Sequence, residues 1–183
     1  MKYDYKYIPK FYYDSIFDIP YDMFYQQGIK ALLFDLDNTL ILPKVTKIDD
    51  HIQFFLQKIS LKFKVGILSN ARLKKQQKIL NNNYFYIGLK WYHKKPSKWG
   101  FMQSLEFMNV SCEQAIMIGD QLTTDVLGAN KMKIISILVK PLNRNNEFLI
   151  TKFRRFVIER PFINKIKKEN FKLYQQKFQN FIK

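Results

Sequence analysis

A chain of 183 residues holds one domain with a real core and is too short for two ordinary ones. Its apolar share of 47% excludes disorder, and its one cysteine, Cys112, excludes an internal disulfide or a cysteine-based zinc site. The net charge of +16, from 31 Lys and Arg against 15 Asp and Glu, suits a polyanionic partner, although a Lys-, Asn- and Ile-rich composition produces it too.

Nothing approaches the roughly 20 apolar residues of a membrane span. The opening MKYDYKYIPKFYYD carries tyrosines and charges where a signal peptide needs an apolar run. The expected location is therefore the cytoplasm, with attachment at the inner membrane face as the alternative to free solution.

Residues 1–29 read as an aromatic, proline-punctuated lead-in. The run Ala31-Leu32-Leu33-Phe34 is short and continuously apolar, as buried parallel strands are, and it ends at Asp35. A helix is predicted near 49–64, where Ile52, Phe55, Leu56 and Ile59 recur at three-to-four spacing. A strand at 65–68, a helix at 71–80, a strand at 84–89 and an amphipathic helix at 97–108 follow. Ser111 stands three residues before Gln114, a capping-type turn, ahead of a strand at 115–118. A helix near 124–132 and a strand at 134–139 complete the series.

From about residue 148 the chain changes character. Residues 151–183 hold ten Lys or Arg and two acids, with Phe162, Ile163, Ile166, Phe171, Tyr174, Phe178 and Phe181 at roughly helical spacing. That pattern fits a helix packed on the core or a basic amphipathic helix on an anionic surface. The domain reading is a core over 1–147 with its lead-in, and a basic helical extension of the same domain over 148–183.

Alternating strands and helices of these lengths predict a three-layer, Rossmann-like α/β fold with a mainly parallel sheet. In such sheets the ligand crevice lies beyond the carboxyl ends of the strands. The polar clusters fall there: Asp35 and Asp37, Ser69 and Asn70, and Asp120.

The segment Asp35-Leu36-Asp37-Asn38-Thr39 puts two carboxylates two residues apart after a buried strand. Extended chain points both the same way, and their repulsion calls for a shared cation with oxygen ligands, Mg²⁺ above all. A calcium loop counted from Asp35 would need Gly and Glu where Leu40 and Thr46 stand, so that reading fails. Gly119-Asp120-Gln121-Leu122-Thr123-Thr124-Asp125 adds a carboxylate at another strand end, unless Asp120 or Thr123 simply caps the next helix. Ser69 and Lys95 supply the hydroxyl and ammonium that a phosphoryl group needs around its oxygens.

These four elements, in this order, resemble the haloacid dehalogenase (HAD) superfamily. ALLFDLDNTL at 31–40 resembles its first motif, Ser69 in VGILSN its second, Lys95 before proline its third, and Asp120 with Asp125 its fourth. Asp-Asn-Thr-Leu within the first motif and GDQLTTDVLGAN within the fourth are similar to the YqeG-type branch, subfamily IIIA. The likeness spans about residues 9–145.

The resemblance implies a phosphatase in which Asp35 is the nucleophile and Asp37 the general acid and base. It implies Mg²⁺ on the Asp35 carboxylate, the Asp37 carbonyl and Asp120, with Asp125 and Thr39 nearby in support. Ser69, Asn70 and Lys95 would hold the phosphate. Neither 40–68 nor 70–95 has room for a cap domain, so an open site and a large or surface-presented substrate are expected. The branch points to phosphatidylglycerophosphate, an anionic phospholipid. A soluble sugar phosphate or nucleotide, a polynucleotide end and a non-catalytic binding module are the alternatives, and nucleic acid is not the favoured partner. His93 and His51 are expected to be bystanders, and Cys112 an ordinary buried thiol.

Overall fold

The computed structural model describes residues 5–80 and 84–182. Its six strands are β1 (Phe11–Tyr13), β2 (Ala31–Phe34), β3 (Lys64–Ile67), β4 (Phe85–Tyr86), β5 (Ala115–Gly119) and β6 (Ile135–Val139). They form one sheet in the order β1-β6-β5-β2-β3-β4, and every pairing is parallel. The central strands β2 and β5 are buried along their whole length, which is why both read as unbroken apolar runs.

Helices cover both faces. They are α1 (Tyr21–Gln26), α2 (Asp50–Ser60), α3 (Leu73–Leu80), α4 (Lys98–Met108), α5 (Leu127–Lys131), α6 (Leu149–Arg154), α7 (Arg160–Glu169) and α8 (Phe171–Lys177). Strand residues alternate between the faces. Leu32, Phe34, Ile116 and Ile118 meet Ile52, Leu56 and Ile59 of α2, while Leu33 and Met117 meet Phe101, Leu105 and Met108 of α4. Local signals set the helix ends. Asp49 accepts from the Ile52 amide at 2.8 Å to open α2, and Asn109 in left-handed conformation closes α4. The three-layer α/β reading holds, and the segments after β2 and β3 carry α2 and α3 rather than an inserted domain.

Three parts differ from the sequence reading. The lead-in is structured: β1 pairs with β6 at the sheet edge, and α1 seats Phe24 in the core. Three residues are too few to show a period, so only the partner strand reveals β1. The strand expected at 84–89 shrinks to Phe85–Tyr86, and Cys112 is half-buried rather than enclosed.

The tail turns Ile163, Ile166, Tyr174, Phe178 and Phe181 onto Leu122, Val126 and Leu138. Phe162 is half-buried beside them and Phe171 stays exposed. A five-residue π-helical segment, Arg155–Glu159, joins α6 to α7, and a second, Leu122–Val126, runs into α5. These wider turns occur often at functional sites.

Candidate active site

The strand register assembles the site. Phe34 lies level with Ile67 on β3 and with Ile118 on β5, and the Asp35 amide donates to the Ile118 carbonyl at 2.9 Å. Asp35, Ser69 and Asp120 therefore leave three adjacent strands at the same carboxyl edge. All three are buried.

Just beyond, Asn38 has a φ of 66°, a left-handed conformation that Asn tolerates better than most residues. Its side chain accepts from the Asn143 amide at 3.0 Å and donates to Glu147 at 3.3 Å. The first motif is thereby tied to the segment that enters α6.

Lys95 is the centre of one half of the site. Its ammonium lies 2.7 Å from Asp35 and 2.7 Å from Asp125. Asn70 fixes the Lys95 backbone from both sides: Asn70 Oδ1 accepts from the Lys95 amide at 2.7 Å and Asn70 Nδ2 donates to its carbonyl at 3.1 Å. That engages the Asn70 side chain with Lys95. Asp125 in turn accepts from the Gln121 amide at 3.0 Å. It packs so closely on Gly119 that a Cβ there would sit 2.4 Å from the carboxylate.

Arg155 is the centre of the other half, and it comes from the tail. Its Nε donates to both oxygens of Glu147 at 2.8 and 2.9 Å. Nη1 donates to Glu159 at 2.9 Å and to the Asp120 carbonyl at 3.0 Å, and Nη2 to the Asp120 carboxylate. Glu159 also accepts from the Leu122 and Thr123 amides at 2.8 and 3.3 Å, so the turn after β5 is capped from the tail, not by Asp120 or Thr123.

Every buried charge among the described residues belongs to this cluster. Asp35, Asp120, Asp125, Glu147 and Glu159 face Lys95 and Arg155, an excess of three negative charges when all are ionised. Burial pushes the Asp35 carboxyl up to about 7, against the pull of Lys95 and helped by Asp125. Burial likewise holds Asp120 well above its ordinary range, Arg155 opposing and Asp35 and Asp125 adding. Lys95 and Arg155 both stay charged, because their carboxylate neighbours outweigh the cost of burial.

This donor set fits a hard divalent cation. One carboxylate oxygen from each of Asp35, Asp120 and Asp125 lies within 4.8 Å of the others. Asp120 Oδ1 is buried with no hydrogen-bond partner, an arrangement costly for a carboxylate unless a cation faces it. Asp125 thus joins the carboxylate trio, where the sequence placed it in a supporting position. The Asp37 side chain stands apart, paired with Lys75 at 2.5 Å. Thr39 is buried near the motif and does not line the active-site cleft. His93 stacks on Trp99 with ring centroids 4.2 Å apart, and exposed His51 rests on Phe17.

An open cleft of about 910 Å³ leads to this cluster, lined by Asp35, Asp37, Ser69 and Lys95 at its base. Trp91, Phe148, Ile150 and Arg154 form part of its wall. The wall from the tail and, behind it, the buried Arg155–Glu147–Glu159 cluster were missed by sequence reasoning. The only local hint was Glu159 four residues after Arg155 in an otherwise basic stretch.

The family model described as mitochondrial PGP phosphatase matches residues 1–142. The chain belongs to that family. The protein of Bacillus subtilis named "Probable phosphatase YqeG" is 31% identical over 168 residues, covering 89% of this chain and 93% of its own length. The phosphatidylglycerophosphate phosphatase 1 of Arabidopsis thaliana is 25% identical over 148 residues, 75% of this chain but 42% of that protein. A Bacteroides thetaiotaomicron HAD family enzyme, solved with magnesium and inorganic phosphate, aligns with a TM-score of 0.52 at 16% identity, covering 63% of this chain and 96% of that one. A Listeria monocytogenes structure aligns with a TM-score of 0.51 at 22% identity, over 66% of this chain and 82% of that one. At such identities the structural likeness speaks to the fold alone. This chain is a YqeG-type phosphatase.

Proposed function

We propose that this phosphatase is a Mg²⁺-dependent phosphomonoester hydrolase that works through an aspartyl-phosphate on Asp35, with phosphatidylglycerophosphate as substrate. The observation that carries the reading is Asp35 itself: a buried carboxylate at the carboxyl end of β2, beside Lys95 and at the base of an open cleft.

An Asp35 oxygen attacks phosphorus, forming an O–P bond as the ester P–O bond breaks. Asp37, also at the base of the cleft two residues on, gives its proton to the leaving oxygen. It then takes a proton from the water that attacks the aspartyl-phosphate, releasing phosphate and restoring Asp35. The Asp37–Lys75 ion pair opens for both transfers, and Asp37 enters the first carrying a proton taken from solvent. Lys95 and Ser69 lie where they can meet phosphoryl oxygens, and Asn70 keeps Lys95 in place. Mg²⁺ on Asp35, Asp120 and Asp125, with the Asp37 carbonyl as the fourth ligand expected from the family, would neutralise the carboxylates and polarise the phosphoryl group.

The lipid substrate is supported by the family and by the cleft, which no inserted domain covers. The test is phosphate release from phosphatidylglycerophosphate in excess nonionic detergent with Mg²⁺, beside glycerol phosphate and Asp35→Asn. Asp35-dependent hydrolysis favouring the lipid is expected. Turnover of the soluble ester alone would refute the lipid assignment, and turnover by Asp35→Asn would refute the nucleophile.

A further inference from the structure

The segment 149–169 runs as one continuous helical stretch through α6, the π-helical turn and α7. Its first half is inverted. Arg155 and Glu159 point into the protein, while Leu149, Phe153, Phe156 and Val157 point out, with exposures of 84%, 62%, 66% and 48%. The reason lies on the inner side: the buried carboxylates of the site need Arg155, so the charged face of this helix is the one that packs. The outward face is left with the apolar residues. A contiguous exposed apolar face of this kind marks an interaction surface.

What surrounds the face says what it meets. Between Phe148 and Lys168 the sole acid is the buried Glu159, whereas Lys152, Arg154, Arg160, Lys165, Lys167 and Lys168 are all basic. Phe148, Ile150 and Arg154 of the same segment line the catalytic cleft, and Trp91, 82% exposed, stands on the cleft wall as well. On another flank a cavity of about 620 Å³ is lined by Arg144, Lys152, Arg160 and Phe156, with Glu147 and Glu159 also in its lining but paired to Arg155. Apolar side chains ringed by cations and an exposed tryptophan match the boundary of an anionic bilayer, where acyl chains meet phosphate headgroups. A second copy of the chain would bring another +16 charges against this surface, which disfavours self-association through it. No helix among the described residues is long and apolar enough to cross a membrane, so the segment lies on a bilayer rather than through it.

We infer that Leu149, Phe153, Phe156 and Val157, framed by the basic residues of the same segment, form a face that docks on anionic bilayers with the catalytic cleft opening at its edge. This rests on the lipid reading for its purpose and is testable without it. The full-length protein is sedimented with vesicles of phosphatidylcholine containing phosphatidylglycerol and with vesicles of phosphatidylcholine alone, for the wild type, Leu149→Asp and Phe153→Asp. Turnover of p-nitrophenyl phosphate is followed in parallel.

The wild type should bind the anionic vesicles in preference to the neutral ones. Each variant should partition about tenfold less or weaker still, since each removes one exposed apolar anchor and adds an anion. The soluble ester should turn over within about twofold of wild type, because both side chains point away from the cluster and lie outside the cleft lining. Wild-type protein that ignores anionic vesicles, or variants that bind as well as wild type, would overturn the docking face. So would a wild-type dimer that Phe153→Asp dissociates while vesicle binding persists, because the face would then be a self-interface. Detergent-dispersed lipid needs no docking, so hydrolysis there with no vesicle binding would sink this inference alone.

Discussion

Replacing Arg155 by Met removes the one cation that three buried carboxylates share. The guanidinium is 6% exposed and reaches Glu147, Glu159 and Asp120 with four hydrogen bonds of 2.8 to 3.0 Å, besides the contact to the Asp120 carboxylate. Breaking a buried ion pair from one side costs about 3–5 kcal/mol, because the partner is left charged and unpaired. Three stranded partners would cost more if all stayed ionised, but protonation limits the penalty. A loss of about 3–5 kcal/mol is therefore expected at pH 8, a large share of the roughly 5–15 kcal/mol of a typical domain. The sign with pH follows from linkage. Asp120 already has a raised pKa in the folded protein, and losing Arg155 raises it further, so its penalty is greatest at high pH and shrinks as the pH falls toward its ordinary carboxylate range. Urea unfolding in EDTA, followed by tryptophan fluorescence at pH 8 and pH 5.5, measures both. Arg155→Lys should recover only part, since a single ammonium cannot span three carboxylates. A variant within about 1 kcal/mol of wild type at pH 8 would refute the keystone role.

Two further outcomes follow from the same cluster. Metal-free protein should lose stability as the pH rises between the ordinary Asp value of 3.8 and the Asp35 value of about 7, because the folded state holds a proton that the unfolded chain has released. Mg²⁺ should offset that loss most strongly above neutrality and release protons on binding. Calorimetric melts with EDTA and with Mg²⁺ test this, and a Mg²⁺ effect independent of pH would refute it. Gly119→Ala puts a methyl 2.4 Å from the Asp125 carboxylate, so Asp125 must shift from the position in which it meets Lys95. The expected cost is about 1–3 kcal/mol with weaker Mg²⁺ binding, read by urea unfolding and by metal titration, and unchanged metal affinity would contradict it.

The chemistry-bearing residues of the core were legible because each sits at the end of an apolar run. Ala31–Phe34 before Asp35 and Ala115–Ile118 before Asp120 announce buried strands, and parallel sheets present their strand ends to ligands. Which carboxylates converge was less legible. Asp125 lies five residues past Asp120, and only the π-helical turn at Leu122–Val126 and the close packing on Gly119 bring it to Lys95. Asp37 alternates correctly along the chain, yet Lys75 of α3 draws its side chain away from the trio.

The tail shows the limit most clearly. Helical spacing marked Ile163, Ile166, Tyr174 and Phe178 as an apolar stripe, and those residues do pack inward. Sequence periodicity is a local quantity and carries that much by itself, as it carries the alternation of strands and helices. It cannot say that Arg155 turns inward, because that orientation is set by Asp120, 35 residues earlier in the chain, and the excess negative charge at the sheet edge exists only once β2 and β5 lie side by side. The tertiary structure therefore decided which face of the tail helix is buried, and with it which apolar side chains remain outside. The physical reason is electrostatic: an unpaired carboxylate inside the protein costs more than several apolar side chains left in water.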